Sequence, residues 1–405
     1  MRILMLSDVY FPRVNGVSSS IRTFARGLEQ QGHQVTIVAP AYGDDDEQGE
    51  FEILRLSSRR IFFDPEDRLI RASALRRVED LLATRSFDLI HIHTPFRAHQ
   101  LGVRLARRTG APTVETYHTY FEQYAAHYLP WLPAGALRWI ARSFSRRLCA
   151  EVDHLIVPSS QMVEVLASYG IETPSTILPT GIDLDEFASG DGAAFRHAHA
   201  IAPERPTLVT VSRLAQEKNI AFLLEVARVL AHEFPTLLFI IAGEGPDAAR
   251  LQSRSRELGL EGSVRFFGNL DRRTRLLDCY RAGDVFVFAS PTETQGLVLI
   301  EAMALGVPIV STAVMGTATV LERAASARTS AQEVPAFANH VAALLRDPAL
   351  RREMSAAGPL DAQAWSAPVL MQRAIELYAR LADDAARAGP DRVPPRPPFA
   401  SDSIP

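Results

Sequence analysis

The segment DVFVFASPTETQGLVLIEAMALGVP, residues 284–308, decides the fold. It begins with an apolar run at residues 284–289, which is typical of a buried strand. A short polar turn follows, and residues 297–305 are predicted to form a helix that leads into another strand at 308–312. A strand, a helix and a second strand in this order predict a parallel sheet covered by helices on both faces.

The same alternation runs through the whole chain and restarts once. Strands of the first half are predicted at residues 2–9, 34–39, 89–93, 113–117 and 154–158, with a helix at about 18–31. Strands of the second half are predicted at 208–211, 237–242, 264–267, 284–289 and 308–312, and helices at about 221–233, 248–258, 274–281 and 297–305. We therefore predict an α/β protein with two Rossmann-like, doubly wound domains that face each other across a ligand-binding cleft.

The predicted first domain spans residues 1–185 and the second spans residues 186–367. The stretch 184–206, which contains Gly, Asp, Ala and Pro, is predicted to be the linker. A helix with one apolar face is predicted at 368–388. The proline-rich end, residues 389–405, is expected to be disordered or loosely draped.

The composition, 47% hydrophobic and 22% charged over 405 residues, indicates a soluble globular protein. A formal net charge of −4 argues against general nucleic-acid binding. The two cysteines, Cys149 and Cys279, lie far apart without metal-ligand spacing, as expected in a reducing cytoplasm. No run of about 18 apolar residues is present, so we expect no membrane-spanning helix. We therefore expect a cytoplasmic protein, and we leave open whether it attaches peripherally to the inner face of the cell membrane.

Glu293 and Glu301 bracket the strand-to-helix turn of the deciding segment. Glu301 is expected about two helical turns beyond Glu293, so roughly 12 Å separates them at 1.5 Å per residue. That separation is comparable to the distance from the sugar to the ribose of a nucleotide sugar. With Gly296 between them, the two carboxylates are suited to bind hydroxyls at both ends of such a molecule.

Arg213 and Lys218 follow the strand that opens the second half, on the cleft side. A guanidinium fork with a compact ammonium suits a diphosphate, whereas either cation alone would more often be merely solvated. In the first half, Gly16 at a helix start allows backbone amides to approach an anion, although an ordinary turn glycine is as good an interpretation.

His118 follows a strand of the first half, where it could contact a sugar or share in proton movement, although a lone histidine is more often structural. His91 and His93 alternate on one strand without a third ligand, so we interpret them as packing residues. The acidic run at residues 44–47 is interpreted as a solvated loop rather than a metal site.

Residues 131–148 contain arginines that recur every four residues, with apolar residues around another face. A basic amphipathic helix of this kind can lie on an anionic membrane. The alternative is a helix packed on its own domain with a solvated arginine stripe. The candidate membrane or acceptor residues are Arg138, Trp139, Arg142 and Arg146, together with Phe62 and Phe63 in a second exposed segment.

Motifs spread over nearly the whole chain carry a family resemblance. They are SDVYFPRVNGV at 7–17, YHT at 117–119, PSS at 158–160, PTGID at 179–183, SRL at 212–214 with KN at 218–219, AGEGP at 242–246, and the two glutamates at 293 and 301 followed by AMALGVP. In this joint order they resemble the motifs of the family-four retaining glycosyltransferases, which have the two-domain GT-B fold.

The resemblance implies roles for individual residues. Arg213 and Lys218 would hold the donor diphosphate, Glu293 would bind sugar hydroxyls, Glu301 would bind the ribose, and His118 would lie at the reacting sugar. The predicted catalytic residues are His118, Arg213, Lys218 and Glu293. The predicted donor-binding residues are Gly16, Val17, Arg213, Lys218, Gly243, Glu244, Asn269, Leu270, Glu293, Gly296, Leu297, Val298 and Glu301.

The family is metal-independent, so the resemblance implies no metal and no cofactor, only a UDP- or GDP-sugar as substrate. The implied chemistry is front-face displacement with retention, in which the leaving phosphate helps to take the acceptor's proton. The last helix would cross back onto the first domain. Gln295 stands where the family usually has an aromatic residue, which leaves the identity of the sugar open.

The stretch 117–158 is most similar to members that glycosylate lipids, so we expect a diacylglycerol- or phosphatidylinositol-like acceptor and a peripheral membrane enzyme. A transferase for a soluble or polymeric glycan is the rival hypothesis. Two further hypotheses are a non-catalytic nucleotide-sugar-binding paralogue and a two-domain epimerase. The paralogue is disfavoured by the intact Glu293, Glu301, Arg213 and Lys218.

Overall fold

The computed structural model describes residues 1–13, 15–43, 51–60, 68–118, 133–272, 274–389 and 395. The chain divides into two compact units, Met1–Gly181 with Ala367–Pro405, and Ile182–Ser366. The candidate residues Phe62 and Phe63 and the acidic run 44–47 lie outside the described residues.

The first unit contains a parallel sheet that is seven-stranded among the described residues. Its strands are β1 (Arg2–Leu6), β2 (Gln34–Pro40), β3 (Glu52–Leu56), β6 (Leu89–Ile92), β7 (Thr113–Thr116), β8 (His154–Val157) and β9 (Ser175–Ile177), in the order β3-β2-β1-β6-β7-β8-β9. A short antiparallel pair, β4 (Ser58–Arg60) and β5 (Arg68–Ile70), stands apart. The strands that follow β1 in the chain are added first on one side of it, as β2 and β3, and then on the other side, from β6 onward. The switch point of this doubly wound fold therefore lies between β1 and β6.

The helices of this unit are α1 (Gly16–Gln30), α2 (Ala72–Ala83), α3 (Arg97–Thr109), α4 (Ala134–Cys149) and α5 (Ser160–Ser168), and the last helix of the chain, Ala367–Ala388. That last helix packs into the core of the first unit. Leu370, Met371 and Leu377 are buried there against residues of β1 and α1, including Ile3 and Ile21.

The second unit has a parallel sheet of six strands in the described part of the chain. The strands are β10 (Thr207–Val211), β11 (Leu238–Ala242), β12 (Val264–Gly268), β13 (Val285–Phe288), β14 (Ile309–Thr312) and β15 (Ala327–Ser330). Their order, β12-β11-β10-β13-β14-β15, is that of the Rossmann fold, with the switch point between β10 and β13. Loops that follow these two strands therefore emerge side by side at the carboxyl edge of the sheet.

The helices of the second unit are α6 (Gly192–Ala198), α7 (Ile220–Glu233), α8 (Ala248–Glu257), α9 (Arg275–Arg281), α10 (Leu297–Ala304), α11 (Gly316–Leu321), α12 (Val334–Arg346) and α13 (Pro348–Gln363). They cover both faces of the sheet. Two separate clusters of buried apolar side chains result, one on each face, with the sheet between them.

The stretch 184–206, which was predicted to be the linker, is folded into the second unit. It contains a 3-10 helix, Leu184–Phe187, and α6, and it buries Phe187, Phe195 and Ile201 in the core of the second unit. The guanidinium of Arg196 fastens it, donating to the carbonyl of Ala282 at 2.9 Å and to Asp284 at 3.1 Å. Its small and polar residues therefore serve close packing rather than flexibility.

Candidate functional site

Lys218 and Glu293 come together at the switch point of the second unit. Lys218 ends a 3-10 turn in the loop after β10, and Glu293 lies in the loop after β13. The ammonium Nζ of Lys218 donates to Oε1 of Glu293, and each side chain is about a fifth exposed. A cation and an anion thus lie at the sheet edge where doubly wound folds bind ligands.

Lys218 is the only lysine in the sequence, because every other basic residue among the 43 is an arginine. An arginine carries the same charge on a planar fork, whereas a lysine offers a compact point charge.

Two hydrogen bonds join the loop that carries Lys218 to the end of β13. The side-chain amide of Asn219 donates to the carbonyl of Ala289 at 3.2 Å, and the hydroxyl of Ser290 donates to the carbonyl of Glu217 at 2.9 Å. Asn219 adopts a left-handed conformation, with φ of 54°, which turns the chain from the 3-10 turn into α7. These two side-chain-to-backbone hydrogen bonds therefore hold the loop that carries Lys218 opposite Glu293.

The loop of Glu293 is fixed from its other side by α11. The amide of Gly316 donates to the carbonyl of Glu293 at 2.8 Å, and a Cβ on Gly316 would lie 2.0 Å from the carbonyl oxygen of Thr294. Gly296 has a left-handed φ of 84° and starts α10, so the first amides of that helix, at Leu297 and Val298, follow Glu293 directly. The first amides of an α-helix have no partner within the helix and favour anions or polar oxygens.

Glu301 lies in α10 and is only 2% exposed. Its Oε1 accepts a hydrogen bond from the guanidinium of Arg272, and its Oε2 accepts one from the hydroxyl of Tyr280 at 2.8 Å. The carboxylate of Glu301 raises the pKa of Arg272, whereas burial and then Glu301 raise the pKa of the Tyr280 phenol. The sequence analysis missed both partners, because they precede Glu301 by 29 and 21 residues in other elements and match no motif.

The other predicted donor-binding residues of this unit lie at the same sheet edge. Gly243 follows β11 with φ of 128°, and a Cβ there would meet the carbonyl oxygen of Ser212 at 1.9 Å, so only glycine fits. The carbonyl of Glu244 accepts from the amide of Leu214 at 2.8 Å, next to the exposed Arg213. The side-chain amide of Asn269 donates to Glu244 at 3.2 Å, and Leu270 is half-buried against the core.

In the first unit, Gly16 and Val17 begin α1 as predicted. Asn15 caps the helix, since its side-chain oxygen accepts from the amide of Ser18 at 2.8 Å. Gly16 is exposed, and a Cβ there would have nothing within 4 Å. Neither backbone conformation nor crowding within the described residues requires a glycine at this position.

His118 belongs to a group of histidines beneath the end of β7. Its Nε2 lies 3.2 Å from Nδ1 of His93, the two rings are stacked, and burial lowers the pKa of His118 to about 4. His91 and His93 are fully buried, and His91 contacts Thr116 at 2.7 Å and the Tyr378 hydroxyl at 2.6 Å. These contacts agree with the packing interpretation of His91 and His93.

Within the described residues, no group of three acidic, histidine or cysteine side chains could hold a metal ion.

Helix α4 carries the predicted arginine stripe, with Arg138, Arg142 and Arg146 exposed. Of the apolar residues predicted around another face, Trp139 and Ile140 are 67% and 44% exposed, whereas Leu148 is buried. Leu137, Ala141 and Leu148 form the buried side of the helix. No helix among the described residues is long and apolar enough to span a membrane.

Two sequence families match the chain, one in each half. The family described as Glycosyltransferase Family 4 matches residues 14–186, and the family described as Glycosyl transferases group 1 matches residues 192–361. Together they cover most of both units.

Curated relatives match over about three quarters of the chain. An alpha-monoglucosyldiacylglycerol synthase of Streptococcus pneumoniae is 33% identical over 77% of this chain and 71% of its own length. A GDP-mannose-dependent alpha-mannosyltransferase of Mycobacterium tuberculosis is 28% identical over 77% of this chain and 79% of its own length.

Solved structures share the fold. A sucrose-phosphate synthase from Thermosynechococcus elongatus matches with a TM-score of 0.77 at 22% identity, over 95% of this chain and 99% of its own. HepE from Anabaena, in complex with UDP and glucose, matches with a TM-score of 0.76 at 18% identity, over 94% of this chain and 100% of its own. These likenesses confirm the predicted α/β fold of the GT-B class.

Proposed function

The chain belongs to the family 4 glycosyltransferases, and we propose that it transfers a hexose from a UDP- or GDP-sugar to a hydroxyl of a membrane lipid, with retention of anomeric configuration. The proposed acceptor is of the diacylglycerol or phosphatidylinositol class. The observation that carries the donor half of this proposal is the pairing of Lys218, the only lysine, with Glu293 at the switch point of the second unit.

Lys218 and Glu293 provide the two kinds of group that a nucleotide sugar requires. A diphosphate needs cations, which Lys218 and the neighbouring Arg213 supply. Sugar hydroxyls need fixed acceptors, which the carboxylate of Glu293 supplies, and the amides of Leu297 and Val298 can donate to sugar oxygens. In the structure the ammonium of Lys218 and the carboxylate of Glu293 pair with each other. Donor binding would separate them onto phosphate and sugar.

The proposed reaction needs no dedicated base. The bond between the anomeric carbon and the diphosphate oxygen breaks, and the acceptor oxygen forms its bond to that carbon on the same face. The acceptor's proton passes to the leaving phosphate oxygen, and Lys218 and Arg213 stabilise the negative charge that develops on the diphosphate.

Residues of the first unit have proposed roles that follow from their own surroundings. Gly16 and Val17 are exposed or half-buried at a helix start, where open space and backbone amides suit an anion such as the diphosphate. His118 is neutral at pH 7 because its pKa is lowered to about 4, so it would serve as a hydrogen-bond partner of the reacting sugar rather than as a cation.

The lipid acceptor is proposed from two independent observations. The relative from Streptococcus pneumoniae is named for the synthesis of a glucosyldiacylglycerol. In this chain, α4 exposes Trp139 and Ile140 among arginines and contains no acidic residue. An exposed tryptophan in a basic field suits the interface of an anionic membrane. We therefore propose that the enzyme binds peripherally to the inner face of the cell membrane.

A thermal-shift panel of nucleotide sugars tests the donor half. A ligand that binds only the folded state stabilises it by about 3 kcal/mol at roughly a hundredfold excess over its Kd. We expect one UDP- or GDP-hexose to raise the unfolding temperature by several degrees, and Lys218→Ala to abolish that shift. An unchanged unfolding temperature with every nucleotide sugar would contradict the proposal.

A further inference from the structure

Glu301 is held on two sides by side chains whose surroundings differ. Tyr280 is 0% exposed and donates to Oε2 at 2.8 Å, so it contacts the carboxylate from within the core. The side chain of Arg272 is 34% exposed and donates to Oε1, so it contacts the carboxylate from the solvent side. The carboxylate of Glu301 is therefore oriented by one fixed neutral donor and one cationic donor.

Both donors are themselves held in place. Asp271 fixes the turn that carries Arg272, because its Oδ1 accepts from the amide of Thr274 at 3.0 Å and from the Thr274 hydroxyl at 2.7 Å. The ring of Tyr280 stacks on Phe286 of β13, with 5.3 Å between ring centroids and 24° between ring planes. The position of Arg272 is thus supported by the hydrogen bonds of Asp271, and that of Tyr280 by ring packing in the core.

The arrangement leaves a defined capacity for further hydrogen bonds. An ionised carboxylate accepts through two lone pairs on each oxygen and donates nothing. Arg272 uses one lone pair of Oε1 and Tyr280 one of Oε2. Each oxygen keeps one lone pair that neither residue uses, so the group can accept from two adjacent hydroxyls at once. The 2′ and 3′ hydroxyls of a ribose form such a pair.

The carboxylate of Glu301 is 2% exposed, and the guanidinium of Arg272 brings a positive charge next to it. Tyr280 remains a donor because its phenol, deeply buried, does not ionise near neutral pH.

We propose that Arg272 and Tyr280 are positioning residues for ribose recognition, and that they hold the carboxylate of Glu301 as an oriented acceptor for the vicinal hydroxyls of the donor nucleotide. This inference rests on the proposed function and on the ribose role that the family resemblance implies for Glu301. It adds that the ability to distinguish ribose from deoxyribose depends on three side chains rather than on Glu301 alone.

Calorimetric titration with nucleoside diphosphates tests this. UDP is compared with dUDP, and GDP with dGDP, on the full chain, and the pair that binds is carried forward. We expect the wild type to bind the ribonucleotide roughly tenfold more tightly than the deoxynucleotide, since one hydrogen bond to a charged group is lost. In Tyr280→Phe and Arg272→Gln that ratio should fall to a few-fold or less, with little change in deoxynucleotide binding.

Three further variants make the result decisive. Arg272→Lys keeps the charge and should retain most of the ratio, which a purely space-filling role would not predict. Tyr378→Phe removes a fully buried hydroxyl in the first unit and should leave the ratio at the wild-type value. Glu301→Gln should reduce the ratio to about that of Arg272→Gln.

The outcomes separate the two levels of the proposal. If Glu301→Gln loses the ratio while Tyr280→Phe and Arg272→Gln keep it, the positioning inference is overturned and the ribose role of Glu301 stands. If Glu301→Gln keeps the ratio, the ribose role itself is wrong, and the inference falls with it. Should Tyr280→Phe not fold, the comparison of Arg272→Gln with Arg272→Lys decides, because Arg272 lies partly at the surface.

Discussion

Lys218 carries more of the proposed chemistry than any other single side chain. It is the only lysine in the sequence, and it pairs with Glu293 across two loops that hydrogen bonds hold together. An ion pair that is a fifth exposed can be opened by a ligand that supplies new partners for both charges. We therefore interpret the Lys218–Glu293 pair as a binding site for a charged ligand rather than as a structural crosslink.

The single lysine makes a chemical test available without mutation. An amine-acylating reagent should modify Lys218 and the N-terminal amine, since the chain has no other primary amine. We expect transfer activity to fall in proportion to acylation of Lys218, measured by mass spectrometry of peptides. The nucleoside diphosphate that binds should protect Lys218 from the reagent.

Lys218→Arg is the matched control for this experiment. It keeps the charge, cannot be acylated at position 218, and should make the residual activity resistant to the reagent. Full activity in wild-type enzyme that is completely acylated at Lys218 would refute its role at the diphosphate. For Lys218→Ala we expect a loss of transfer rate of about a hundredfold or more, as for removal of other groups that stabilise developing charge.

Sequence could place Lys218 and Glu293 together but could not place Arg272 or Tyr280. The loops after β10 and β13 share one sheet edge in any doubly wound fold, so residues in them are expected to be neighbours. The contacts of Arg272 and Tyr280 with Glu301 depend instead on how α9 and the segment before it lie against α10, which no motif encodes. Asp8, in contrast, belongs to a motif that the family resemblance uses, but its observed contacts are structural. Its carboxylate accepts hydrogen bonds from the amides of Arg97 and Ala98 and so caps α3.

At the scale of elements, α4 combines features of a packed helix and of a docking helix. Leu137, Ala141 and Leu148 anchor one side, and Trp139 and Ile140 lie exposed on the other among arginines. The sequence pattern predicted the arginine stripe but did not separate the exposed apolar residues from the buried ones, because a helix of this composition has apolar residues over most of its circumference. Burial in the folded unit decides which of them remain at the surface.

We expect α4 to bind anionic vesicles in a salt-sensitive manner. Each arginine close to an anionic surface contributes about 1 kcal/mol, so changing Arg138, Arg142 and Arg146 to Ala should weaken vesicle binding on the order of a hundredfold. Trp139→Ala should also weaken it. Co-sedimentation with phosphatidylglycerol vesicles at low and high salt measures both effects.

Leu360 provides the control for exposed apolar area, since it is 74% exposed in the second unit. Leu360→Ala should bind vesicles like the wild type. Wild-type protein that fails to bind anionic vesicles at low salt, or that binds equally well after the arginine changes, would remove the membrane surface from the proposal.

A buried ion cluster joins three elements of the first unit. His99 of α3 contacts Glu115 of β7 at 2.9 Å through Nδ1 and Glu151, just beyond α4, at 3.0 Å through Nε2. Burial alone would lower the pKa of His99, but the two carboxylates raise it to about 9. His99 is thus a permanent cation at neutral pH, and it holds the end of α4 to the sheet.

This cluster predicts a pH dependence of stability with a definite sign. The folded-state pKa of His99, about 9, lies above the ordinary value of 6.5, so its contribution is fully present below pH 6.5 and is lost as the pH rises through 9. The loss amounts to up to roughly 3 kcal/mol. We expect the unfolding temperature of the wild type to fall more steeply between pH 6.5 and 9.5 than that of His99→Gln. Parallel curves for the two proteins would show that His99 is not charged in the folded state.

At the scale of the whole molecule, both units were predictable from periodicity. Apolar runs and their spacing predicted the ten strands β1, β2, β6, β7, β8 and β10–β14 within three residues at either end. They missed β3, β9 and β15, which lie at sheet edges and are only partly buried, so their sequences lack a continuous apolar run. They also misjudged residues 184–206, because small residues that pack tightly on α9 have the composition of a linker.

The chemistry of the whole enzyme depends on the donor and the acceptor together, and one measurement addresses both. The purified chain is incubated with the nucleotide sugar from the thermal-shift panel and with anionic vesicles that contain diacylglycerol or phosphatidylinositol. A soluble glycan is offered in parallel. Products are separated into organic and aqueous phases, and their anomeric configuration is read by NMR. Glu293→Gln serves as the inactive control.

We predict a glycolipid in the organic phase, linked in the same anomeric configuration as the donor, and no product from Glu293→Gln. Product found only on the soluble glycan would contradict the lipid acceptor. An inverted linkage would contradict retention. Absence of transfer from every nucleotide sugar to every acceptor would contradict the central claim that this chain is a hexosyltransferase acting at a membrane.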